Sequence, residues 1–288
     1  MRAIRTDAPG DNDQLREAIY EGEIFLMPST SASENLVADV IALIEAKLGE
    51  RYRQAQFAMP ADQYLDCIAD LKHHLYTDYH FRDSVRRVMA ELRFDPAENA
   101  FDPPRLRAVT HGGHQNPDSS NAYSTHRDTW YANPQSQINW WIPLHDVTEP
   151  ETFCFFPRYF DKAVNNSSGD FDYDQWVARV GFGRSHAGRD AFYPTIPEKR
   201  LSEHHALACS CRAGEMILFS AAHLHQTAYN SSGLTRFSLD FRTVNLADQA
   251  SRIGAPNVDN RSLGSALTDY IHPDQVGSAE AHQAIDDA

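Results

Sequence analysis

The chain has 288 residues, enough for one large domain or two small ones, and its 42% hydrophobic content is ordinary for a globular protein with an ample core. Lys and Arg total 26 against 40 Asp and Glu, a formal net charge of −14, and no Lys/Arg-rich run is present; both argue against a nucleic-acid partner. No window approaches the roughly 18 apolar residues of a membrane span, and Met1 to Gly10 carries charges and a proline where a signal peptide needs an apolar centre.

In chain order, Asn12 to Tyr20 has helical character and Gly22 to Met27 that of a short buried strand. Ser31 and Glu34 have capping-box spacing. Apolar positions Leu36, Val37, Val40, Ile41, Leu43, Ile44 and Leu48 follow at helical intervals, which predicts a helix over 33–49. Gln63 to Tyr76 and Phe81 to Leu92 predict two more helices. From Arg105 the pattern changes to short strands: Arg105 to Thr110, His126 to Tyr131, Gln137 to His145 and Thr152 to Phe156. The polar interval from Asn165 to Arg189 reads as an insertion with a small helix near Tyr173 to Val180. Strands resume at Ala206 to Cys211, Met216 to Ser220, His225 to Tyr229 and Arg236 to Val244.

This order predicts a mainly β fold with flanking α-helices, either a β-barrel or a double-sheet jelly roll. One domain is expected over 1–264, with a helical part at about 12–100, a β core at about 101–245 and a loosely held polar tail at 265–288. Cys67, Cys154, Cys209 and Cys211 lack Cys-x-x-Cys spacing, so free thiols in the cytoplasm are expected.

The chemistry concentrates at Thr-His-Arg-Asp, Thr125 to Asp128. On a strand, side chains two apart share a face, so His126 and Asp128 point together and Arg127 points away. A second histidine from Met216 to Asn230 would complete a two-His-one-carboxylate set, the ligand type of non-haem Fe(II) oxygenases, with three coordination positions left open. His225 and His223 share a strand parity, so both are candidates. His225 is favoured by the Asn-Ser-Ser-Gly turn that follows it and by Arg236, eleven positions on, which a hairpin returns to its side. A 2-oxoacid chelating iron through its 1-carboxylate and 2-keto oxygen needs a fixed cation at its far carboxylate. Arg236 offers a guanidinium fork and Ser238, on the same face, a hydroxyl. Arg242 is the alternative anchor, disfavoured because Asp240 offers it a same-face partner. Among the other histidines, His111 and His114 flank two loop glycines, His145 closes a strand, and His204 and His205 precede one; none has a carboxylate two residues away on a strand.

With these residues assembled, the chain resembles the phytanoyl-CoA dioxygenase family of Fe(II)/2-oxoglutarate-dependent oxygenases over roughly residues 12–245. The resemblance is carried by Thr-His-Arg-Asp-Thr-Trp at 125–130, Asn-Trp-Trp-Ile-Pro-Leu-His-Asp at 139–146 and the segment from Gly214 to Arg242. It is greatest to the bacterial branch of antibiotic and other natural-product biosynthesis, the branch of the streptomycin-cluster oxygenase. The resemblance implies a double-stranded β-helix of cupin type, iron on His126, Asp128 and His225, 2-oxoglutarate on Arg236, O2 as co-reactant, and Trp141 lining the cosubstrate pocket. It also implies a small-molecule substrate, with Trp130, Tyr131, Phe153 and the 165–189 insertion as candidates for its wall or lid. One departure is that Glu151-Thr152 and Phe156-Pro157-Arg158-Tyr159-Phe160 stand where many members have Asn-Gly and then Pro-Gly-Ser-His, so phytanoyl-CoA is no guide to the substrate. The carboxylate that the family's halogenases lack is present as Asp128, which points to hydroxylation or a related oxidation. The rival expectations are a cupin-like metal enzyme that uses no oxoacid and a non-catalytic metal-binding barrel.

Overall fold

The structure is a computed structural model and describes residues 3–116, 123–148, 151–179, 193–196 and 206–273. The N-terminal third is helical. Helix α1 (Asn12–Tyr20) is capped by the Asp11 side chain, and strand β2 (Ile24–Met27) follows β1 (Ile4–Arg5) in the sheet. Helix α2 (Ser31–Leu48) begins one residue earlier than the capping-box spacing predicted. Thr30 is extended and exchanges hydrogen bonds with Ser33, while Glu34 accepts from Ser29. Short α3 (Ala55–Ala58) leads into α4 (Ala61–Thr77) and α5 (Tyr79–Glu91).

The strands are β3 (Asn99–Phe101), β4 (Arg105–Val109), β5 (Gln137–Pro143), β6 (Phe153–Phe155), β7 (Met216–Ser220), β8 (His225–Thr227) and β9 (Arg236–Asn245). The larger sheet runs β1-β2-β7-β5-β9-β3, with β4 also paired to β9; β6 and β8 form a second, two-stranded sheet. Isolated bridges from His126 to His225 and from Leu207 to Phe155 extend the smaller layer. Ala206 to Cys211 therefore contributes two bridging residues rather than the predicted strand. Helices α6 (Tyr173–Arg179) and α7 (Leu246–Ser251) complete the described elements, and no described helix is long and apolar enough to cross a membrane.

Strand alternation separates two cores. On the outer face of the large sheet, Trp140, Ile142, Phe237, Leu239 and Phe241 join Leu36, Val40, Leu71, Val85 and Val88 of the helices in one cluster. Each of these large side chains contributes about 1.5–3 kcal/mol by leaving water. The inner face carries Ile24, Trp141, Ile217 and Phe219, which pack on Phe153 and Phe155 of the smaller layer. Beside that apolar patch, the inner face of β4, β5 and β9 is polar: Arg107, Asn139, Arg236, Ser238, Asp240 and Arg242 all lie on it.

The C-terminal segment departs from the expected loose tail where it is described. Tyr270 is 3% exposed, Ile271 bridges Phe101, and Tyr270 packs with Ala100 and Val244. Its polar composition concealed this, because few apolar side chains, Ala266, Tyr270 and Ile271 among them, hold it in place.

Candidate metal centre

His126, Asp128 and His225 come together with ligand atoms within 4.8 Å of one another, and among the described residues they are the one such group of three. The expected strand through Asp128 is not formed. His126 makes a single bridge, exchanging backbone hydrogen bonds with His225 at 3.0 and 2.9 Å, and Asp128 opens a 3-10 turn that runs to Tyr131. The shared face survives because the residue between them is extended: Arg127 has φ −110° and ψ 140°. Arg127 accordingly points away, 1% exposed, onto Asp259 and the carbonyls of Ala222, Tyr159 and Lys162.

Each histidine is held by its Nδ1. That of His126 donates to the Ser124 carbonyl at 2.9 Å and that of His225 to the His223 carbonyl at 3.0 Å. Fixing the proton on Nδ1 leaves the Nε2 lone pair free, and both Nε2 atoms face Asp128 Oδ1, at 3.4 and 4.0 Å. Burial lowers the His225 pKa to about 4, with the neighbouring His126 charge adding to the effect, so at neutral pH this ring is an unprotonated donor. Burial works against the Asp128 carboxylate, but the surrounding His126, His225 and Arg242 outweigh it and hold its pKa well below the usual range. Two imidazoles and one carboxylate converging on a common point suit a divalent cation.

His223, the alternative ligand, turns the other way: it is fully buried, with Nε2 3.1 Å from the Gly22 carbonyl and its ring against Phe160. His111 Nδ1 accepts from the Gly233 N–H, and His114 stacks on Tyr229. His204 and His205 lie outside the described residues.

The adjoining wall holds Arg236, Trp141 and Ser238. Arg236 is 4% exposed, and no carboxylate among the described residues lies within ion-pair distance of it. Its Nη1 donates to the Glu151 and Thr152 carbonyls at 3.3 Å each, its Nε has no partner among the described residues, and its guanidinium lies 5.5 Å from the Trp141 ring. Burial pushes its pKa down to about 10, which leaves it charged at neutral pH. Trp141 Nε1 donates to Ser238 Oγ at 3.0 Å, so the hydroxyl keeps its own proton to donate. Phe153 bridges the two halves of the site, 5.2 Å from the Trp141 ring and 6.1 Å from that of His225.

Arg242 occupies a different setting from the one its spacing to Asp240 suggested. Asp240 pairs with Arg107 at 2.6 and 2.9 Å, and Arg242 pairs with the fully buried Asp102. Arg107 stands diagonally across from Asp240 on β4, within reach of a long side chain, and takes both of its carboxylate oxygens. Trp130 also turns out to be structural, fully buried with Nε1 on Asp259, whereas the Tyr131 ring stands 5.5 Å from that of His126.

Three polar residues behind the carboxylate escaped the sequence reading. Asn139 donates to Asp128 Oδ2, Gln137 to Asn139, and Asn133 to the Asp128 carbonyl at 2.9 Å. The signal for two of them, Gln137 and Asn139, was present in Gln-x-Asn-x-Trp at 137–141, polar residues at alternate positions of a strand otherwise apolar.

No protein-family model matches the chain, and no curated protein matches it. Among solved structures it is similar to EvdO2 from Micromonospora carbonacea var. aurantiaca complexed with 2-oxoglutarate (16% identity, 89% of this chain and 100% of that one, TM-score 0.45). It is also similar to the epimerase SnoN in complex with Fe3+, alpha ketoglutarate and nogalamycin RO (14%, 87% and 98%, TM-score 0.43), and to the non-haem monooxygenase ThoJ (14%, 84% and 86%, TM-score 0.39). Likeness at this level transfers no role, so the chemistry rests on the chain's own residues.

Proposed function

We propose that this chain is an Fe(II)- and 2-oxoglutarate-dependent oxygenase of a small, natural-product-like molecule, built on a double-stranded β-helix. The observation that carries the reading is the pairing of two features, one on each of the two layers. Two imidazole Nε2 atoms and one carboxylate oxygen converge, and a buried guanidinium without a described carboxylate partner stands on the wall beside them.

His126, Asp128 and His225 hold the iron in this reading, and three ligands leave room for a chelating oxoacid and O2. Bound iron and 2-oxoglutarate supply the oxidising power, with succinate and CO2 released as the substrate is oxidised. The protein's part is geometric and electrostatic. The Nδ1 anchors fix both rings, and Arg236 with the Ser238 hydroxyl receives the far carboxylate of 2-oxoglutarate, for which a fork of N–H donors is well matched. Trp141 and Phe153, both nearly buried, exclude water from between the two halves. Asp128 favours oxygen transfer over halogenation. Hydroxylation is the simplest outcome, and desaturation, epoxidation or ring closure would employ the same ligands. Tyr131, close to His126 on the open side, belongs to the substrate wall. Free cysteines throughout accord with a reducing, cytoplasmic setting.

Anaerobic titration with Fe(II) and then 2-oxoglutarate tests the proposal. The expected result is a weak visible charge-transfer band at roughly 500 nm that requires both additions. A band absent from the wild type, or 2-oxoglutarate affinity unaffected by Arg236→Ala, would favour the cupin-like enzyme that uses no oxoacid.

A further inference from the structure

Asp128 has two carboxylate oxygens with different surroundings. Oδ1 faces the two histidine Nε2 atoms, while Oδ2 accepts a hydrogen bond from Asn139 Nδ2. Asn139 in turn accepts at Oδ1 from Gln137 Nε2 at 2.7 Å, and Gln137 accepts at Oε1 from the Tyr270 hydroxyl at 2.6 Å. All three side chains are buried: Gln137 is 0%, Tyr270 3% and Asn139 5% exposed. None of their polar atoms is left without a partner.

The direction of every bond follows from the ends of the chain. An ionised carboxylate only accepts, so Asn139 must present its NH2 to Asp128 and its carbonyl to Gln137. Gln137 must then present its NH2 to Asn139 and its carbonyl to Tyr270. The phenol must donate, and burial, which raises its pKa above the ordinary range, keeps it protonated. Reversal of either amide would set like against like, so the relay has one arrangement. Its origin is in alternation: Gln137 and Asn139 are two apart on β5 and share the inner face, while Tyr270 arrives from the docked C-terminal segment.

We propose that Tyr270, Gln137 and Asn139 form a positioning relay that holds Asp128 as a one-oxygen ligand, Oδ1 toward the metal and Oδ2 withheld, and so makes the C-terminal segment part of the metal site. Bidentate binding by Asp128 would consume a coordination position that a chelating oxoacid and O2 require. The inference rests on the metal-site reading above. It assigns a role to a segment more than forty residues beyond His225 in sequence, none of whose described side chains belongs to the ligand group.

Cobalt(II) binding without cosubstrate tests the relay apart from turnover, through affinity and the ligand-field spectrum. Asn139→Ala should weaken Co(II) affinity by about 10–100-fold, the usual effect of losing a partner to a metal ligand, and shift the spectrum toward higher coordination number. Tyr270→Phe keeps the packed ring, loses one oxygen, and should change both readouts in the same direction by less. In the double variant the Tyr270→Phe effect should vanish, because it acts through Asn139. Ser136→Ala, which removes a hydrogen bond to Gln249 just before the same strand, is the control for a purely structural loss and should leave the spectrum unchanged. Wild-type affinity and spectrum in Asn139→Ala and Tyr270→Phe, or additive effects in the double variant, would overturn the relay and leave the metal-site reading standing. Failure of the wild type to bind Co(II) would overturn both.

Discussion

Arg236 and Arg242 lie six residues apart on the same face of β9, and their surroundings are opposite. Arg242 is clasped by the fully buried Asp102 through its backbone N–H, its Nε and its Nη2, and its Nη1 reaches Asn133, which holds the Asp128 carbonyl. Burial alone would lower its pKa, but the Asp102 charge prevails and raises it well above the ordinary value. Arg236 meets carbonyl oxygens and an aromatic face, without a described carboxylate, and its pKa falls. A buried cation with its own acid is a strut; one without an acid has a place for a ligand's charge.

The largest expected effect removes what both arginines serve. Asp128→Ala should abolish succinate formation altogether, and turnover retained in an oxoacid assay would refute the ligand assignment. Next, Arg242→Ala should cost about 1.5–3 kcal/mol in urea unfolding, because the buried Asp102 loses its charged hydrogen bonds to Arg242 and keeps Arg105, at 3.2 Å. A loss below about 1 kcal/mol would show the pair to be solvated. Arg236→Ala should do the reverse, weakening 2-oxoglutarate by about 100-fold, equivalent to roughly 3 kcal/mol, while unfolding stability stays within about 1 kcal/mol of wild type. Equal loss of stability in the two variants would erase the distinction between them.

The smallest effect concerns His145, at the far end of β5. Burial lowers its pKa to about 4, and its Nε2 accepts the Phe237 N–H next to Arg236 while Nδ1 donates to the Asp146 carbonyl. A histidine whose folded pKa lies below its unfolded value, about 6.5, stabilises fully above pH 6.5 and loses that contribution as pH falls toward 4. His145→Gln, which retains an acceptor, should therefore flatten the decline in stability between these pH values by about 1–2 kcal/mol. A pH profile parallel to wild type would show that His145 remains neutral or solvated throughout.

Much of the site was legible because it obeys local rules. His126 and Asp128 share a face whenever the residue between them is extended, and Arg127 is extended although no regular strand forms there. The hairpin expected between His225 and Arg236 is not formed, since β8 pairs with β6 in the smaller sheet and β9 with β3, β4 and β5 in the larger; Arg236 and its even-numbered neighbours nevertheless share one inner face, as a period of two requires. Helix periodicity placed α1, α2, α4 and α5 to within about two residues, the usual uncertainty of helix ends. The misread elements are those whose pairing is long-range. Asp240 chose Arg107 from β4 over Arg242, and Tyr270 folded back onto β5 from a stretch too polar to suggest burial.

The amino-acid sequence by itself determined which side chains can ligate and which face of each strand they share, since both follow from residue type and a period of two. Only the tertiary structure decided which arginine has an acid, which carboxylate oxygen is withheld from the metal position, and that the C-terminal segment reaches the site. Those outcomes depend on contacts between distant parts of the chain, where a hydrogen-bond partner is selected by proximity in space and no local pattern records the choice.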